Sequence, residues 1–258
     1  MVSGSITVAD IPLLRYTLRR ADDALILGHR LSEWCGHAPM MEEDMALANM
    51  GLDLIGQART LYAYAGEVEA AGRGEDAYAY LRDVRGYGNL LLLEQPNGDF
   101  AHTMVRQFFY SAFIDPYWRA MIGCSDATLA AIAAKAEKES AYHVRHSAEW
   151  VVRLGDGTAE SHTRAQAAVD ALWPFTGEMF EVDATERGLV SDVVVPNPEQ
   201  LHQAWQDMVS GVLDRATLTI PSESWMQKGG RDGRHSEHLG HLLSELQYMQ
   251  RAFPGATW

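Results

Sequence analysis

Apolar residues in this sequence recur in steps of three and four over long stretches, a rhythm that belongs to helices packed side by side. A strand would alternate every second residue instead. Only 9 prolines interrupt the 258 residues, and they fall mostly between those stretches. The first predicted helix runs from about Leu13 to Cys35, with Leu14, Leu18, Ala21, Leu25, Gly28, Ser32 and Cys35 on one stripe. Gly36 and Pro39 end it. The second runs from about Glu42 to Ala71 and repeats the spacing at Leu47, Gly51, Leu54, Ala58, Leu61, Ala65 and Val68. Small residues on both stripes permit close approach of the two helices.

A helical hairpin of this length needs a second pair to cover it. The third helix is expected over about Phe100 to Ile122, kinked at Pro116. The fourth follows Asp126 as N-cap, with the stripe Leu129, Ala133, Ala136, Ser140, His143, Ser147, Trp150 and Leu154. Shorter helices are expected near Thr163 to Phe180, from Asn197-Pro198 to about Thr219, and from about Glu237 to Phe253. The fold class is therefore all-α, a four-helix bundle with about three additional C-terminal helices. No internal repeat, low-complexity segment or linker divides it, so residues 1–258 read as one domain, with a core bundle over about 13–155 and an extension over about 160–258.

Charge narrows the function. Lys and Arg total 21 against 35 Asp and Glu, a formal charge of −14, and such a chain repels nucleic acid and anionic membrane. No run approaches the roughly 20 apolar residues of a membrane span, and Met1 to Asp10 lacks a secretory pattern. Cys35 and Cys124 form no zinc or iron-sulfur motif and suit a reducing compartment. The expected location is the cytoplasm.

Di-iron carboxylate enzymes use a four-helix bundle with a Glu from each of two helices and Glu-x-x-His from each of the other two. Here the core-facing pairs at that spacing are Leu54 with Gln57 and Ser140 with His143. Leucine binds no metal, and serine and amide are poor replacements for anionic ligands. Carboxylates stand nearby at Asp22, Asp23, Asp53, Asp115 and Glu139. Asp53 and Glu139 each precede a slot by one residue, about 100° of rotation away, and are expected to point off the shared axis. Half-exposed helix charges and buried ion pairs with Arg19, Arg20, Arg59 or Lys138 both remain open for these acids. An iron site of shifted geometry built from Asp22 or Asp23, Asp53, Asp115, Glu139 and His143 is the enzymatic alternative.

Two further clusters lie near the C-terminus. His235, His238 and His241 turn progressively around a helix and do not converge on a metal. Lys228-Gly229-Gly230-Arg231-Asp232-Gly233-Arg234 is a compact basic, glycine-rich stretch. It reads either as a flexible surface loop or as a contact for phosphate, with Lys228, Arg231 and Arg234 beside coenzyme A. An acyl-CoA carrier using this loop is the binding-class alternative.

Longer motifs add a family resemblance. The stretches Ser32 to Pro39, Ala46 to Arg59 and Glu94-Gln95-Pro96-Asn97-Gly98, with the tail from His235 through Gln247-Tyr248-Met249-Gln250 to Pro254-Gly255, resemble the C subunits of bacterial ring 1,2-phenylacetyl-CoA epoxidases. The likeness runs from about Leu13 to Trp258. It implies a ferritin-like, structural subunit paired with a homologous di-iron catalytic subunit in aerobic phenylacetate breakdown. It also implies that the catalytic relative reads Asp-Glu-Ala-Gly-His where this chain has Asp53-Leu54-Ile55-Gly56-Gln57, and Lys-Glu-Glu-x-x-His where this chain has Lys138 to His143. Three of four ligands are then lost, and no catalytic, metal or cofactor-binding residue is expected. On the same resemblance the di-iron centre sits in the partner, NADPH, FAD and an iron-sulfur cluster serve a separate reductase, and phenylacetyl-CoA binds mainly to the partner.

Overall fold

Helix α1 (Pro12–Ser32) is the element around which the rest assembles, since sixteen of its 21 residues are buried. A helix reaches that state only when neighbours cover all its sides. The computed structural model describes residues 5–222 and 225–256, and among these there is no strand. Pro12 opens α1 at a position where its missing N–H costs nothing. The helix stops at Ser32, three residues before the expected end. Trp34 and Cys35 donate to Leu31 and Ser32 in tighter i→i−3 turns, and Gly36 takes a left-handed φ of 79°, leaving Cys35 exposed.

Helix α2 (Met41–Glu69) lies along α1. The two backbones approach closely at Gly28 and Gly51, where a methyl on Gly28 would stand 3.2 Å from the Gly51 carbonyl oxygen. Of the expected stripe on α2, Leu47, Gly51, Leu54, Ala58, Leu61 and Ala65 are buried and Val68 is half-buried, and Met50, Gln57 and Tyr62 beside the stripe are buried as well. Three short helical pieces missing from the sequence reading follow or come later: α3 (Glu75–Tyr80), α4 (Leu91–Glu94) and α8 (Ala184–Ser191). Each is too short for a period of 3.6 to show.

The second long pair is α5 (Phe100–Met121) and α6 (Ala127–Gly155). Helix α5 passes through Pro116 without a break in its helical assignment. Asp126 caps α6 as expected, accepting from the backbone of Thr128 and Leu129 at 3.0 and 2.9 Å. The buried line on α6 follows the expected stripe to Ser147 and then moves to Val151 and Gly155, leaving Trp150 and Leu154 half-buried. A helix with 3.6 residues per turn drifts off a strict seven-residue repeat in this way.

Helices α7 (Ala159–Leu172) and α9 (His202–Arg215) cover α5 and α6. Between them Phe109, Trp173, Phe180 and Trp205 form an aromatic cluster, pinned where the Trp205 indole donates to the Phe109 carbonyl at 2.9 Å. The helix expected to reach Phe180 ends at Leu172 because Pro174 follows, and 3-10 turns complete the segment. The last expected helix is two, α10 (Glu237–Leu246) and α11 (Tyr248–Ala252), separated at Gln247. That side chain is buried and donates to the Ala79 and Arg82 carbonyls and the Tyr87 hydroxyl. No described helix is long and apolar enough to cross a membrane.

Candidate functional site

The seam where α2 meets α6 brings the four slot residues inside. Leu54, Gln57, Ser140 and His143 are all buried. Their neighbours in sequence do not point away as expected. The Asp53 carboxylate faces the imidazole of His143, whose Nε2 lies 3.1 Å from its Oδ2. Gln57 donates to Glu139 Oε2 at 2.8 Å. The correction has a simple cause: carboxylates one position off the axis on one helix face the slot residues of the opposite helix across the seam. Ser140 donates to Asp115 at 3.1 Å, and Arg119 pairs with the other Asp115 oxygen at 2.7 Å. Burial raises the Asp115 carboxyl, against the opposing pull of Arg119 and Ser140.

The acids are thus divided into pairs, and Leu54 occupies the remaining corner with methyl groups. Lys135, not Lys138, approaches Glu139, at 3.6 Å, and Arg59 turns outward to Glu75 at 3.1 Å. One turn from His143, His146 Nε2 lies 2.9 Å from Glu43 Oε2, and burial lowers its pKa against the opposing pull of Glu43. Among the described residues no three of His, Cys, Asp or Glu are grouped to hold a metal ion. A pair of iron ions needs several anionic ligands converging in one dry pocket. This donor set does not fit them.

A second set of buried charged side chains lies around the other side of α1. Asp22 and Asp23 are fully buried. Asp22 pairs with the Arg82 guanidinium and accepts from Tyr62 at 2.5 Å and from the Gly88 amide at 2.8 Å. Asp23 receives a two-pronged Arg231 guanidinium at 2.9 and 2.8 Å, with Arg20 at 3.4 Å. Arg19 reaches Asp183 and Glu186 at 2.5 and 3.2 Å.

The basic glycine-rich loop is therefore neither a flexible surface loop nor three free cations. Arg231 is consumed by Asp23 and by the Gly88 carbonyl. Glu178 anchors the loop backbone, accepting from Gly229 at 2.9 Å while its other oxygen takes the Leu91 amide at 3.0 Å. Gly230 is required because a methyl there would sit 2.2 Å from the Asn89 carbonyl oxygen. Lys228 and Arg234 stay exposed and pair with Glu181 at 3.2 Å and Asp232 at 2.9 Å.

His235 precedes α10 and leaves His238 and His241 behind on the helix. Its side chain is buried, with Nε2 3.0 Å from the Tyr87 carbonyl and Nδ1 2.7 Å from Glu94. Glu94 also accepts from Asn89 and from the Ser236 amide. Both ring nitrogens face acceptors, so the ring is an imidazolium. Burial opposes that charge, but the hydrogen bond and charge of Glu94 outweigh it and raise the His235 pKa. Neither this pair nor Asp22 with Arg82 was visible in the sequence, where 141 and 60 residues separate the partners.

The helical architecture defines a ferritin-like all-α protein in which Leu54, Gln57, Ser140 and His143 are buried where α2 meets α6. The chain belongs to the family described as phenylacetic acid catabolic proteins, which it matches over residues 4–258. It is 47% identical over 247 residues to the C subunit of the 1,2-phenylacetyl-CoA epoxidase of Escherichia coli (strain K12), covering 95% of this chain and 99% of that protein.

Proposed function

We propose that this chain is a structural, non-catalytic subunit of a cytoplasmic, multicomponent phenylacetyl-CoA epoxidase, paired with a homologous di-iron subunit that performs the oxygenation. The observation that carries the reading is the seam itself. Leu54, Gln57, Ser140 and His143 stand at the ligand spacing of a di-iron bundle, and the nearby acids are tied up in separate pairs. The near full-length likeness to a protein named as an epoxidase subunit supports membership of such a complex. In this reading iron resides in the partner, electrons come from NADPH through a reductase carrying FAD and an iron-sulfur cluster, and phenylacetyl-CoA lies mainly against the partner.

The same seam weakens the reading of the chain as an oxygenase with shifted ligands, because Asp53, Asp115 and Glu139 each face a different neighbour. The test has two parts. The tagged chain, recovered from its native host, is expected to bring a homologous iron-containing subunit with it. Purified alone, it should hold far less than one iron per chain, unchanged by His143→Ala. About two irons per chain, lost on that substitution, would overturn the proposal.

A further inference from the structure

A pocket of about 250 Å³ opens between the first turns of α1, the segment around residues 82–88, the N-terminal strap at residues 8–10 and the glycine-rich loop. Five arginines line it, Arg15, Arg19, Arg82, Arg85 and Arg231, against three aspartates, Asp10, Asp22 and Asp232. That excess of positive charge stands out in a chain of net charge −14. Three of the cations are spent on buried carboxylates: Arg82 on Asp22, Arg231 on Asp23, and Arg19 on Asp183 and Glu186. Asp22 is fully engaged in return, and Asp232 holds Arg234.

Two arginines remain available. Arg85 is exposed, and among the described residues it makes no side-chain hydrogen bond or ion pair. Arg15 has one partner, Asp10 at 3.2 Å, in a pair whose side chains are 43% and 87% exposed. An exposed pair of this kind contributes little and exchanges readily for a better anion. Gly86, Gly88 and Gly233 leave the walls bare, and at Gly233 a methyl would meet the Arg85 carbonyl oxygen at 2.4 Å. At roughly 30 Å³ per water the space equals about eight waters, enough for one or two phosphate groups and too little for a whole nucleotide.

We propose that this pocket binds a phosphate group, free or at the end of a larger ligand that extends into solvent, with Arg15 and Arg85 as the contacting cations. Guanidinium forks match phosphate oxygens in pairs, and a concave wall concentrates their field. The inference moves the anion contact from Lys228, Arg231 and Arg234 to the neighbouring wall, and it holds for the chain alone, whatever its role in an assembly.

Calorimetric titration of the full chain at low ionic strength tests it with three probes: inorganic phosphate, pyrophosphate and free coenzyme A. Saturable pyrophosphate binding is expected, weakened at least about tenfold by Arg85→Ala with the melting temperature unchanged. Asp10→Asn should tighten it by freeing Arg15, and Arg234→Ala should leave it as it was. Tighter binding of coenzyme A than of pyrophosphate, with the advantage lost in Arg85→Ala, assigns the phosphate to a nucleotide. Equal or weaker binding assigns it to the free anion. Absence of saturable binding at millimolar probe overturns the proposal, as does an Arg85→Ala protein of unchanged affinity or an Arg234→Ala loss as large as that of Arg85→Ala.

Discussion

The two polar regions beside the central helix pair use charge in opposite ways. On the side of α1 that faces the C-terminal loops, Asp22, Asp23, Glu94 and Glu178 are buried, and each is met by a guanidinium, an imidazolium or backbone amides. In the α2–α6 seam, Gln57, Ser140 and the imidazole of His143 lie inside; Asp53 and Glu139, which face His143 and Gln57, keep part of their surface in water, and the buried Asp115 beside Ser140 is met by the largely exposed Arg119. The first arrangement is costly to break, because removing one partner strands a buried charge. The second can lose a partner and rehydrate. Buried ionic groups on the α1 side tie distant chain segments together, whereas two of the three seam carboxylates stay at the edge of the solvent.

The largest expected effect tests that contrast directly. Asp23→Ala strands Arg20 and Arg231 together and frees the glycine-rich loop, and it should cost about 3–5 kcal/mol in urea unfolding. Asp53→Ala removes only a half-exposed partner of His143 and should cost about 1 kcal/mol or less. If Asp23→Ala does not fold, Asp23→Asn keeps the side-chain shape and the Leu90 amide contact and should still be the more damaging of the two asparagine variants. Equal costs at positions 23 and 53 would erase the distinction.

A smaller effect follows from the clasp at His235. Its pKa is raised in the fold by Glu94, so the folded protein holds a proton that the unfolded chain releases near the ordinary histidine value of about 6.5. The stabilisation is complete below that value and is lost as pH rises through the folded pKa. Melting temperature should therefore fall as pH rises above about 6.5, and His235→Gln should flatten the slope there. His29, His102 and His146, which burial pushes down, act with the opposite sign and below that range, so they do not mask it. A slope unchanged in His235→Gln would remove the imidazolium from the account.

Legibility differed between the two regions for the same reason that their energetics differ. The seam is built from residues on or beside regular stripes: period placed Leu54, Ser140 and His143 inside, and the i,i+3 ligand spacing from Leu54 added Gln57. What period could not supply was the cross-seam contact of Asp53 and Glu139, because one helix's rotation does not say what the opposite helix presents. The α1 side is built from pairs between segments far apart in the chain. Arg231 looked free because glycine, lysine and arginine together resemble a solvated loop, and only the fold shows that Gly230 lets the backbone press against Asn89 and deliver the guanidinium to Asp23. Likewise the residue types of Gln95-Pro96-Asn97-Gly98 read as a turn, and the fold shows that Gln95 and Asn97 also seat Arg106. That buried guanidinium donates to the Gln95 carbonyl and Asn97 Oδ1, both at 2.5 Å. Burial and the neighbouring Arg30 lower its pKa to about 9.

The smallest effect separates two glycines on one helix. At Gly51 a methyl would meet Ser32 Oγ at 3.1 Å and the Gly28 carbonyl oxygen at 3.3 Å, on the tight face where α1 crosses. At Gly56 it would meet nothing within 4 Å. Alanine is favoured over glycine inside a helix by about 0.8–1 kcal/mol, so Gly56→Ala should raise the stability of the isolated chain by nearly that amount. Gly51→Ala should lose the gain to crowding, because the contacted oxygens belong to a backbone carbonyl and to a serine already bonded to it. Melting curves of the two variants side by side measure the difference. If they shift alike, helix propensity alone sets the response of α2, and the close α1–α2 approach does not govern that face.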